Sequence, residues 1–147
     1  MSSGATSSTM SERLLLDTCA IVWIANRHAI SRAAMDAIEA LSANGGALCV
    51  SVMSAWEIGM LVSRGRLPST RDALSWFNEF VTAGGIVVYP ATPAVLIGAA
   101  YLPEPLHRDP MDRILIATAR EHDLTIVTRD RAILNYGAAG HVRTLAC

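Results

Sequence analysis

Four short, uncharged, strongly apolar runs punctuate this chain, and stretches of helical periodicity separate them. The runs are Leu14–Leu16, Ala47–Val52, Ile86–Tyr89 and Leu124–Thr128. Strands without charge read as buried on both faces, so something must cover each side of the sheet they build. The helical stretches between them supply that cover. Strand and helix alternate almost throughout, which points to a parallel sheet inside an α/β sandwich. A fifth strand is expected near Val142 to Leu145. The strands should centre on Leu15, Val50, Val87, Ile126 and Arg143.

Local signals place the helices. Ser31 can cap a helix with Ala34, Ile38 and Leu41 on one face, and Asn44-Gly45-Gly46 stops it. Ser54 and Glu57 stand at capping-box spacing, which predicts a helix turning Trp56 and Met60 inward. Pro68-Ser69-Thr70 opens a helix whose apolar stripe contains Leu74, Phe77 and Val81, widened by Trp76 and Phe80. Thr92 and Asp109 are natural caps, because Pro93 and Pro110 follow at the first helical position.

The chain has 147 residues, 52% hydrophobic and 17% charged, enough for one domain with a substantial core. Residues 1–12 are small and polar and read as a disordered tail, with Met10 an alternative start; residues 13–147 form the domain. The N-terminus has no basic segment followed by a long apolar one, so a signal peptide is not expected. No apolar run is long enough to span a membrane. The cysteines, Cys19, Cys49 and Cys147, have no zinc spacing; Cys19 and Cys49 read as reduced core residues. Together these features suggest the cytoplasm. Nucleotide-binding glycine motifs, H-E-x-x-H and G-x-S-x-G are all absent.

Four carboxylates stand where elements end. Asp17 follows Leu14-Leu15-Leu16, Glu57 lies in Ser54-Ala55-Trp56-Glu57, Asp112 in Asp109-Pro110-Met111-Asp112-Arg113, and Asp130 follows Val127-Thr128-Arg129. Sites in open parallel sheets form outside the carboxyl ends of the strands. Asp17, Glu57 and Asp130 belong at that edge; spacing alone does not carry Asp112 there. Gathered together, such acids repel one another unless a cation lies between them, and oxygen-rich sites suit Mg²⁺ or Mn²⁺. Each acid also has a structural reading. Asp17 and Asp130 can cap helices, and Glu57 can complete the capping box. Asp109 is the better cap and Asp112 the better catalytic residue. Thr18 and Thr128 can orient carboxylates, and Arg113 can neutralise Asp109 or Asp112. His107 can donate to a phosphate from its loop. His28, His122 and His141 read as surface or turn residues.

The formal net charge is −1, so bulk charge gives no support to nucleic-acid binding. The arginines are clustered, however: Arg108, Arg113, Arg120, Arg129 and Arg131 lie close to the last two acids. A basic rim around an acidic centre suits a polyanion cut at metals. Arg108 and Arg131 are the residues expected to hold its phosphates.

Taken together, these motifs resemble the PIN-domain ribonucleases, and more narrowly the VapC toxins of bacterial toxin–antitoxin pairs. They include Leu14-Leu15-Leu16-Asp17-Thr18, Ser54-Ala55-Trp56-Glu57-Ile58, His107 to Ala117 and Thr125 to Asp130. The resemblance runs from Leu14 onward. It implies a three-layer α/β/α sandwich with a mostly parallel sheet of about five strands. It assigns the acidic positions to Asp17, Glu57, Asp112 and Asp130, with Mg²⁺ or Mn²⁺ as cofactor. It also implies endonucleolytic cleavage of RNA, inhibition by a small antitoxin, and homodimers. Many members have Asn or His where this chain has Cys19. The rival reading is a non-catalytic PIN-like module that holds RNA or a protein. A haloacid-dehalogenase-like phosphatase would want a second aspartate at position 19.

Overall fold

The computed structural model describes residues 12–147, so most of the proposed N-terminal tail lies outside the described residues. Five strands form one sheet: β1 (Arg13–Leu16), β2 (Ala47–Ser51), β3 (Val87–Tyr89), β4 (Thr125–Thr128) and β5 (Arg143–Ala146). Their order is β3-β2-β1-β4-β5 and every pairing is parallel. The helices are α1 (Thr18–Ala25), α2 (Arg32–Asn44), α3 (Met53–Ser63), α4 (Ala73–Gly84), α5 (Pro93–Ala100), α6 (Pro110–His122) and α7 (Arg131–Ala138). This is the three-layer sandwich that the resemblance implied, around the parallel sheet that the alternation pointed to.

Successive strand residues point to opposite faces, and the β1 leucines feed two cores. Leu14 and Leu16 pack with Val50 and Val127 against Ala20 and Ile21 of α1, Ala34 and Leu41 of α2, Ile58 of α3 and Phe77 of α4. Leu15 turns the other way with Cys49 and Ile126. There it meets Leu115, Ile116 and Ala119 of α6 and Ile133 and Tyr136 of α7. A smaller cluster joins Val95 and Ala99 of α5 to Ile114 and Ala117 of α6.

Ser31, Thr92 and Asp109 cap their helices, with Pro93 and Pro110 in the first turn. Four expectations are corrected. The capping box at Ser54 does not form: α3 starts at Met53, and Ser51 Oγ accepts the Met53 N–H at 3.1 Å. Trp56 faces outward, where it is 59% exposed. The next helix starts at Ala73 rather than near Pro68. Asp72 caps it through the Ser75 N–H, and Leu74 is exposed. Cys19 is exposed rather than core, while Cys49 and Cys147 are buried. His122 is half-buried rather than exposed: its ring packs on Tyr89 at 4.5 Å between centroids. Among the described residues, no helix is long and apolar enough to cross a membrane.

Candidate active site

β1 is central, with β2 on one side and β4 on the other. The chain therefore leaves β1 at the point where strand order reverses, and a crevice opens there beyond the carboxyl ends. A pocket of about 300 Å³ occupies it. Asp17, Glu57, Asp112 and Asp130 all line this pocket, together with Thr18, Cys19, Ser54 and Arg129. Asp112 reaches the same edge because α6 begins there, opened by the Asp109 cap.

Asp17 leaves β1 and caps α1. Its Oδ1 accepts the Ala20 N–H at 2.7 Å, and its Oδ2 accepts the Thr128 hydroxyl at 2.5 Å. Thr128 Oγ1 in turn accepts the Asp130 N–H at 2.9 Å. One buried threonine at the end of β4 thus fixes Asp17 and the backbone of Asp130 together. Glu57 caps nothing. Its Oε1 accepts the Thr18 hydroxyl, and Thr18 Oγ1 lies 3.0 Å from Ser54 Oγ. Ser54, read from sequence as a cap, is instead a buried pocket residue joining α1 to α3. No sequence signal separates these roles, because the same serine satisfies both patterns.

Asp109 turns its carboxylate to the backbone, accepting from Met111 and Asp112 N–H at 3.0 and 3.1 Å. It is absent from the pocket lining. Asp112 Oδ2 lies 2.9 Å from Nε2 of His107. Asp130 caps α7 through Oδ1 and the Ile133 N–H at 3.0 Å. His107, Asp112 and Asp130 each offer one ligand atom, and these atoms lie within 4.8 Å of one another. Asp17 and Glu57 line the same pocket without joining that tight trio.

The arginines divide sharply. Arg113 pairs with neither Asp109 nor Asp112. Its guanidinium donates to the carbonyls of Ala99, Leu106 and His107, tying the loop before α6 to the helix. Arg129 lines the pocket, but its hydrogen bonds go to the carbonyls of Cys147 and Ala29. Its guanidinium also stacks over Trp23 at 3.8 Å from the ring centroid. Arg108 and Arg131 are exposed and outside the pocket lining.

The electrostatics follow from the crowding. Desolvation, first, raises the Asp17 carboxyl despite its bond from Thr128, and nearby Asp130 raises it further. Desolvation likewise raises Glu57 against the Thr18 hydrogen bond, with repulsion from Asp109 and Asp17. Asp112 is pushed up to about 6 by desolvation and by Asp109 and Asp130, against the stabilising His107. The Cys19 thiol is raised by desolvation and then by Asp17, Glu57, Asp112 and Asp130, which keeps it protonated and poorly nucleophilic near neutrality. A cluster that resists carrying its own negative charge suits a cation. Its hard carboxylate oxygens match Mg²⁺ or Mn²⁺.

Known proteins resemble this chain at two levels, sequence and fold. The PIN domain family profile matches residues 14–139. Ribonuclease VapC22 of Mycobacterium tuberculosis (strain ATCC 25618 / H37Rv) is 35% identical over 127 residues, spanning 84% of this chain and 91% of that protein. In fold, the chain is similar to one in the crystal structure of VapBC2 from Rickettsia felis bound to a DNA fragment from their promoter. The TM-score is 0.67 at 16% identity, covering 91% of this chain and 98% of that one. It is also similar to a chain of FitAcB from Neisseria gonorrhoeae, with a TM-score of 0.58 at 21% identity, covering 90% and 96%. The chain belongs to the PIN domain family and, within it, is a VapC-like toxin of the toxin–antitoxin kind.

Proposed function

We propose that this protein is a metal-dependent endoribonuclease toxin that hydrolyses RNA phosphodiester bonds and is neutralised by a small cognate antitoxin. One observation carries the reading. Carboxylates from four separate elements meet in one pocket, although burial and mutual repulsion work against the charge of three of them. A fold has no structural need for such a cluster. The intact acid set also argues against a non-catalytic module.

In this reading Asp17, Glu57 and Asp112 would hold one Mg²⁺ or Mn²⁺, and Asp130 would help to hold a second ion or a water. When bound, such an ion would supply an activated water and offset charge on the phosphoryl oxygens. Thr128 and Thr18 keep Asp17 and Glu57 in position through their hydroxyl donors. Arg108 and Arg131 grip phosphates that flank the scissile one, since bare carboxylates would repel RNA. No side chain needs to act as nucleophile, and the protonated Cys19 thiol is a poor one. In-line attack by water leaves a 5′-phosphate and a 3′-hydroxyl.

VapC22 is named a ribonuclease, which supports the substrate, and one similar fold comes from a toxin–antitoxin complex from Klebsiella pneumoniae, which supports the partner. The antitoxin would lay an apolar segment in a groove and set a basic side chain among the carboxylates. A candidate groove is lined by Ile24, Trp76 and Phe80, where the last two rings stack at 6.1 Å. We also propose that the protein is a homodimer acting in the cytoplasm. The test is tightly controlled expression followed by sequencing of the 5′ ends of new RNA fragments. Discrete new 5′-phosphate ends, lost in Asp17→Asn, are expected. Their absence in cells where the intact protein accumulates would overturn the reading.

A further inference from the structure

Beside the pocket that holds the four acids, the structure sets an imidazole against one of them. His107 Nε2 lies 2.9 Å from Asp112 Oδ2, and one Asp130 oxygen completes a trio within 4.8 Å. His107 reaches that place from a loop, and the loop is braced. Arg113 donates to the His107 carbonyl at 3.2 Å and to the Leu106 carbonyl at 3.5 Å, while its Nε holds the Ala99 carbonyl at 3.0 Å. The Glu104 carboxylate stands 3.7 Å from the same guanidinium. The Leu106 N–H also donates to Glu104 Oε1 at 3.2 Å. A side chain meant only for solvent needs no such support behind it.

We infer that His107 is a metal ligand, binding through Nε2 beside Asp112 and Asp130, and that it tilts the site from Mg²⁺ toward first-row transition ions such as Mn²⁺. The inference rests on the metal-dependent reading above. Its chemistry is that of the donor set. Mg²⁺ is hard, prefers oxygen and keeps its waters, whereas imidazole nitrogen adds affinity for softer divalent ions along the first row. An Asp-only site would discriminate little between Mg²⁺ and Mn²⁺. When Nε2 ligates, the ring carries its proton on Nδ1. Asp130 gives one lone pair of Oδ1 to the Ile133 N–H, which leaves Oδ2 as its freer donor to an ion. The imidazole nitrogen adds a donor of a different kind beside it.

The probe is Mn²⁺ with the full chain, followed by electron paramagnetic resonance. Pulsed spectra of the Mn²⁺-loaded protein should show modulation from a directly bound imidazole nitrogen. His107→Ala and His107→Gln should erase it. Both should weaken Mn²⁺ binding about tenfold or more, while changing Mg²⁺ binding by less than about threefold. His107 is exposed, so both variants should keep the far-ultraviolet circular dichroism of the parent. Mn²⁺ binding without nitrogen modulation, or modulation that survives His107→Ala, overturns the role of His107 and leaves the metal-dependent nuclease standing. A protein that binds no Mn²⁺ in either form, and is unaffected in this by Asp17→Asn, overturns both.

Discussion

At the scale of single residues, Asp17 and Asp112 carry different tests. Asp17 has both carboxylate oxygens engaged within the protein, one by the Ala20 N–H and one by the Thr128 hydroxyl. Asn can keep the cap, because it caps helices about as well as Asp. Asp17→Asn should therefore stay folded, and cleavage of RNA should fall by several orders of magnitude in a single-turnover assay. Undiminished cleavage by the folded variant would remove Asp17 from the mechanism. Asp112 tests the cost of crowding. Its folded pKa of about 6 exceeds the unfolded value of 3.8, so the folded state binds the proton more tightly. In chelator-treated protein, stability should be greatest below pH 4 as far as this group is concerned, and fall as pH rises toward 6. Its side chain is 25% exposed, so the loss is taken as about 1–2 kcal/mol, below what the full shift implies. Asp112→Asn should flatten that slope in urea titrations run from pH 4 to 7. An equal slope in the variant would assign the effect to other groups.

At the scale of elements, the sequence made the strands legible and several helix starts not. Uncharged runs such as Leu14–Leu16 have one stable place, a sheet covered on both sides, and they took it. Asp109-Pro110 marked the start of α6 without ambiguity, because only the first helical turn accepts proline. Ser54 was ambiguous. It satisfies a capping box, yet the helix starts one residue before it, with no side-chain cap, and Glu57 meets Thr18 instead. That contact crosses from α1 to α3, and no local pattern reports it. The arginines were legible as a cluster but not as partners. Which carbonyl a guanidinium finds depends on how β5 and the loops come together. Arg129→Ala should accordingly act on stability, losing about 1–2 kcal/mol in a denaturant titration, since it binds the Cys147 and Ala29 carbonyls and covers Trp23. Arg108→Ala and Arg131→Ala should leave stability unchanged and each lower the salt slope of RNA binding by about one unit. An unchanged slope in both would require another RNA-binding face.

At the scale of the whole molecule, the question is how much apolar surface one subunit leaves uncovered. Trp23, Trp76, Phe77 and Phe80 are largely placed within the subunit. Phe77 is core, Trp23 lies beneath Arg129, and Trp76 stacks with Phe80 beside a groove. The uncovered surface lies elsewhere. α5 buries Val95 and Ala99 against α6 but leaves Leu96 and Ile97 44% and 61% exposed, and Tyr101 just beyond it is 83% exposed. Ile97 and Tyr101 are four residues apart, so they lie one above the other on the outer face. Single exposed apolar residues need no explanation, but a contiguous group on one short helix invites a partner. The net charge of −1 offers little repulsion between two copies. Self-association through this face would bury the same patch twice, the economy of a twofold contact. The protein should sediment as a dimer at micromolar concentration. Ile97→Lys with Tyr101→Lys should shift it to monomer, with RNA cleavage retained if each subunit holds a complete pocket. A monomer throughout would oppose a stable homodimer. A dimer indifferent to both substitutions would move the interface away from α5, to the groove beside Trp76 and Phe80.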